Sequence, residues 1–197
     1  MRPKQQSNLN SIEQRLGGGP WYAEGLADEV AAAVLQSPKR FDELFECLLS
    51  PDKGVSKRAS QALLIVSQRR PDLFQPYKEV LFSELIEQDK WYVRYRLCLI
   101  LPRLRLNPDD IARAAEIFQD LLDGSQNALS VSALEGLAEL ALLEPSRREE
   151  FIWLIERKAR AGTPAMKARG RRLLARLYKN SGNGKGATIL EELEVEF

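Results

Sequence analysis

Apolar residues recur at helical spacing along most of the chain, separated by short polar turns. Ile12 and Leu16 suggest a short helix over 11–16, and Gly17-Gly18-Gly19-Pro20 breaks it. Leu26, Val30, Ala33 and Val34 share one face of a helix predicted over 21–36. Phe41, Leu44, Phe45 and Leu48 predict the next over 41–49, and a turn at 50–54 leads into 55–69. Pro71 and Pro76 bracket a connection to a helix over 77–87, and a turn at 88–90 precedes a strongly apolar helix over 91–106 that Pro102 should kink. Asn107-Pro108-Asp109-Asp110 has the form of a helix start: Asn at the N-cap, Pro first, acids in the first turn. That helix runs to about 122 and is followed by helices over 129–143, 145–160 and 165–179. Period-two alternation is missing until the last few residues, so the body is predicted all-α.

The second helix of each pair repeats one pattern. Val55, Ala59, Ala62, Leu63 and Val66 form the first stripe, and Val93, Leu97, Ile100, Leu101 and Leu104 the second. Leu129, Ala133, Gly136, Leu137 and Leu140 form the third, and Met166, Gly170, Leu173, Leu174 and Leu177 the fourth. Each has offsets 0, +4, +7, +8 and +11, and the first residues are 38, 36 and 37 positions apart. Such offsets fall on one side of a helix. Small residues at +4 (Ala59, Ala133, Gly170) allow close helix approach. A two-helix unit of this length cannot bury its faces alone, whereas stacked units bury a continuous core. Leu26, Val30, Ala33 and Val34 begin the same pattern and have the form of a truncated cap.

The pattern Val-x3-Ala-x2-Ala-Leu-x2-Val over 55–66 resembles the second helix of HEAT repeats. Trp91-Tyr92-Val93-Arg94, with Asp89 in the turn before it, is similar to the Asp-x3-Val-Arg signature of that family; Asp52 and Lys57 echo it one residue out of register. The third and fourth units lack both the turn Asp and the Arg. Over about 21–179 the resemblance implies a right-handed α-solenoid of antiparallel helix pairs, with about four repeats and the truncated N-terminal cap. Outside this domain lie an N-terminal segment, 1–20, partly disordered, and a Gly-rich linker with an acidic and apolar tail, 180–197. HEAT repeats serve mostly as binding scaffolds, and the resemblance implies that the second helices line a concave face.

The residues pointing away from each stripe would line that face. They run from polar (Lys57, Gln61) through apolar (Tyr95, Leu99, Leu106, then Val131, Leu134 with Glu135) to basic (Arg171, Arg172, Lys179). The apolar middle is either buried by neighbouring helices or forms a partner-binding zone anchored by Tyr95.

The 197 residues, 44% of them hydrophobic, suffice for a sizeable core. A formal net charge of +1 gives no global field toward nucleic acid or an anionic membrane. Locally, residues 147–185 carry 12 Lys and Arg against three Glu, which suits an acidic partner or phosphate groups. Histidine is absent, removing the commonest general base and metal ligand. Cys47 and Cys98 stand apart and are expected to be buried and reduced. Neither a metal nor a cofactor is expected. No run is long enough to span a membrane, and residues 1–8 have no apolar segment behind them, so a soluble cytoplasmic protein is expected.

These readings favour a non-enzymatic scaffold that binds a protein or peptide on the concave face, with no membrane association and nucleic acid disfavoured. Two alternatives come from the same family resemblance. HEAT-like alkylpurine DNA glycosylases are echoed loosely by Trp91, Tyr92, Tyr95, Trp153 and the basic fourth unit, but Glu135 is the one acid on the predicted face. HEAT-like phycobilin lyases and chaperones act on other proteins. Phosphate-binding loops, nucleophile elbows and nucleophile–His pairs are absent. The tail, with Glu191, Glu192, Glu194 and Glu196 among Ile189, Leu190, Leu193, Val195 and Phe197, matches a groove apolar in the middle and basic at one end, and is a candidate for docking on its own chain or on a neighbouring copy.

Overall fold

A computed structural model describes residues 11–23 and 25–181. The segments read from sequence as a disordered start (1–8) and as an acidic tail (187–197) lie outside the described residues. The described residues are all-helical, with ten α-helices and no strand. They fall into two compact units dividing after Leu104.

The first unit holds α1 (Ile12–Leu16), α2 (Ala27–Gln36), α3 (Phe41–Glu46), α4 (Lys53–Arg69), α5 (Lys78–Glu87) and α6 (Trp91–Ile100). Helix α4 packs on α2 and on α6, and α1 sits against α2, α3 and α4. Asp52 accepts a 2.9 Å hydrogen bond from the Val55 amide and so starts α4 two residues earlier than its apolar stripe. Phe41, Phe74 and Tyr77 close the α3 side, with Phe41 and Phe74 edge-to-face at 4.7 Å.

The second unit holds α7 (Pro108–Asp123), α8 (Asn127–Leu143), α9 (Arg148–Ala161) and α10 (Pro164–Ser181). Helix α8 packs against α7, α9 and α10, and α9 against α10. Asn107 caps α7, as the sequence suggested, and Asp110 completes a reciprocal capping box with it. A Cβ at Gly136 would lie 2.5 Å from the Phe118 ring, so only glycine lets α7 and α8 approach this closely. A Cβ at Gly170 would meet the Ala159 methyl at 2.8 Å, which places the small residue at the α9–α10 contact.

All the stripe positions of α4, α6, α8 and α10 are buried. Each large apolar side chain among them contributes about 1.5–3 kcal/mol of burial free energy. The truncated first pattern fits less well: Val30 and Val34 are buried, Ala33 is half-buried and Leu26 is 40% exposed. The helix expected from residue 21 begins at Ala27, and before it the carbonyls of Pro20 and Ala23 are held by Arg58.

The continuous helix expected over 91–106 is shorter. Helix α6 ends at Ile100, a 3-10 turn follows over Leu101–Arg103, and Leu104 is extended. Pro102 has no N–H to give the Cys98 carbonyl, and its ring would clash with the preceding turn. The outcome is termination rather than a kink.

Candidate interaction surface

The best-defined surface feature of the first unit begins with a buried cation. Arg58 lies on α4 between stripe residues Val55 and Ala59 and is 3% exposed. A buried guanidinium is costly unless its donors are satisfied. Its NH1 donates to the Leu16 carbonyl at 2.7 Å, NH2 to Pro20 at 2.6 Å and Nε to Ala23 at 3.1 Å. One side chain therefore gathers the last carbonyl of α1 and two carbonyls of the loop that links α1 to α2. The loop fits closely around it. Gly25 has φ +55°, and a Cβ there would be 2.7 Å from Arg58 Nε.

The pinned loop carries Trp21 and Tyr22 outward. Trp21 is 47% exposed, Tyr22 66% and Trp91, at the start of α6, 41%. The buried ring of Tyr92 sits between the two tryptophans, 6.0 Å from each. Its hydroxyl lies 3.4 Å from Ser56 Oγ and donates to the Lys53 carbonyl at 3.3 Å, fixing the ring against α4. Lys57 donates to the Tyr22 carbonyl and lies 5.9 Å from the Trp21 ring centre. Two exposed tryptophans thus pack on one buried tyrosine, and the exposed Tyr22 ring packs edge-to-face on Trp21 at 6.3 Å, beside the half-buried Lys57. The Asp52 carboxyl is held below the usual carboxylate range chiefly by the Val55 amide.

The residues picked out from sequence are distributed as follows. Lys57 is part of the aromatic patch. Gln61, one turn along α4, accepts from Arg96 Nε at 2.8 Å. Tyr95 and Leu99 are half-buried on α6, and Tyr95 is not among the large exposed side chains. In the second unit, Leu106 and Val131 are half-buried, and Glu135 is ion-paired with Arg169. Arg171 is half-buried, while Arg172 and Lys179 are exposed. Leu134 requires a correction: it is fully buried, because α8 is covered by α7, α9 and α10, and belongs to the core rather than to a binding face. Cys98, Pro102 and Ala138 are also buried, Cys98 as expected. Much of the apolar middle is therefore interior.

Sequence reasoning missed the Trp21–Tyr22 loop and its anchor. The available signal was an arginine on the apolar side of α4, together with Gly17-Gly18-Gly19-Pro20 and Gly25.

Elsewhere the chemistry is structural. Cys47 lines a cavity of about 180 Å³ with Ser11, Glu13, Glu43, Glu46 and Ser50. Burial, with Glu13, Glu43 and Glu46 nearby, pushes its thiol up to about 12. Glu43 is occupied there, accepting the Ile12 amide at 2.5 Å and an Arg40 ion pair at 3.0 Å. Among the described residues no group of three or more His, Cys, Asp or Glu could hold a metal ion. No described helix is long and apolar enough to cross a membrane.

Comparison with known protein families finds no match, and comparison with curated proteins finds none. The chain is similar to a crystal structure of an engineered protein, at 17% identity over 92% of this chain and 87% of that one, with a TM-score of 0.57. At that identity the likeness concerns the fold alone.

Proposed function

We propose that the chain is a HEAT-like scaffold, and that the first unit binds an extended peptide segment of a partner protein. The peptide would carry apolar side chains flanked by carboxylates. One observation carries this reading: exposed Trp21 and Tyr22, on a loop fixed by a buried arginine, and exposed Trp91, at the start of α6, form one patch through the Trp21–Tyr92, Trp91–Tyr92 and Trp21–Tyr22 ring contacts, beside Lys57 of α4. Large exposed rings on a rigid support offer much contact area at little entropic cost, and they dominate the energetics of peptide recognition. Lys57 supplies the preference for acidic neighbours. The repeated stripes, all buried at matching offsets, support the repeat reading.

The test is selection of peptides from a random display library on the full chain, followed by affinity measurement against variants. Recovered peptides should be enriched in acidic and apolar residues. Trp21→Ala and Lys57→Glu should each weaken them at least tenfold. Peptides that bind wild type and Trp21→Ala equally would overturn the reading. A salt-dependent affinity for duplex DNA that Trp21→Ala abolishes would replace it with a nucleic-acid function.

A further inference from the structure

We propose that residues 187–197 dock in cis on the outer face of α10, closing the exposed end of the second unit. Helix α10 is covered by α8 and α9 on one side. Its other side presents Ala165, Ala168, Arg172, Ala175 and Lys179, all exposed. These positions recur at helical spacing and form one shallow, small-residue face with two cations. Arg169 and Arg176 are already engaged by Glu135 and Glu139. Among the described residues, Arg172 and Lys179 have no ion-pair partner. The last unit of a helical stack needs a cover for the face that would otherwise meet another repeat.

Charge and reach select the occupant. Residues 187–197 carry Glu191, Glu192, Glu194 and Glu196, no basic residue, and Ile189, Leu190, Leu193, Val195 and Phe197. Glutamates among apolar side chains complement cations on an alanine face. Five residues, 182–186, separate the segment from Ser181 at the end of α10, so it starts within about 20 Å of that end at full extension. Arg172 lies seven residues back from Lys179, about 10 Å along the helix. So short a tether gives an effective concentration on the order of millimolar, which makes weak contacts sufficient.

The experiment uses the full chain with Glu196→Cys carrying a nitroxide; the native Cys47 and Cys98 are buried. Relaxation enhancement is read on backbone amides by NMR. Amides of residues 168–179 should be broadened at least fivefold more than those of α7. Arg172→Glu with Lys179→Glu should remove that excess, and 0.5 M NaCl should reduce it at least twofold. Both side chains are exposed, so the double variant is expected to fold, as thermal melting would confirm. If it does not, the three remaining tail glutamates, Glu191, Glu192 and Glu194, are changed to Gln instead, which leaves the helices untouched and should remove the same excess. Broadening that is uniform, that ignores both sets of charge changes, or that disappears on dilution with unlabelled chain would overturn the proposal. The last outcome would mean exchange between copies.

Discussion

Arg96 and Arg103 on the α6 side of the first unit occupy the same repeat positions as Arg169 and Arg176 on α10 of the second, three and ten residues after the first stripe residue. Both pairs reach back to the preceding second helix. Arg96 meets Gln61, and Arg103 meets Ser67 Oγ at 2.8 Å and the Leu64 carbonyl. Arg169 and Arg176 meet Glu135 and Glu139. Within each unit the partners lie 34–39 residues apart, the length of one repeat. The arms are the same and these acceptors differ: a side-chain amide, a hydroxyl and a carbonyl for Arg96 and Arg103, carboxylates for Arg169 and Arg176. Buried apolar and small positions set the spacing, and this leaves the acceptor free to vary. Arg58 extends the series to α4, three residues after Val55, where the acceptors are three carbonyls and the arm is buried.

The comparison can be broken most severely at Arg58. Arg58→Ala should cost about 3 kcal/mol by chemical denaturation, because it leaves buried carbonyls unpaired and a void beside the loop. The same change at Arg169, whose pair is partly exposed, should cost under about 1 kcal/mol. Equal losses at the two sites would mean that the arms do not differ in kind. Trp21 fluorescence should shift with Arg58→Ala, since the loop loses its anchor.

Packing, rather than ion pairing, is expected to hold the second unit. Gly136→Ala should cost about 2 kcal/mol by driving a methyl into Phe118. Raising NaCl to 1 M should destabilise the chain by less than that, through Glu135 and Glu139. A larger salt effect than glycine effect would reverse this ranking.

The last effect appears only at alkaline pH and belongs to the first unit. Burial, with three nearby glutamates, raises the Cys47 thiol from 9.0 to about 12 in the folded chain. A raised folded value means the neutral thiol supports folding fully below pH 9. That support is lost progressively as pH climbs from 9 toward 12. Thermal midpoints should fall over this range, and Cys47→Ala should flatten the decline. The native thiol should also react slowly with alkylating agents at pH 8.

Most of the fold was legible in the sequence because it depends on period. Val93, Leu97, Ile100, Leu101 and Leu104 are all buried, as their spacing required, and Asn107 caps α7 as its chemistry required. The candidate site was less legible because it depends on tertiary contacts. Trp21 and Tyr22 fitted a helical pattern locally, yet a single arginine 37 residues after Trp21 pulls their segment into a loop. Leu134 pointed away from its stripe but is buried, since a helix covered by three neighbours has no outward side there. Pro102 announced a disruption without saying whether the helix would bend or stop.

The most direct measurement is the dissociation constant of one library-selected peptide for the wild-type chain, for Trp21→Ala and for Arg172→Glu. At least a tenfold loss with Trp21→Ala and less than a twofold change with Arg172→Glu are predicted, placing recognition on the aromatic patch. Unchanged affinity with Trp21→Ala, or a loss confined to Arg172→Glu, would contradict that assignment.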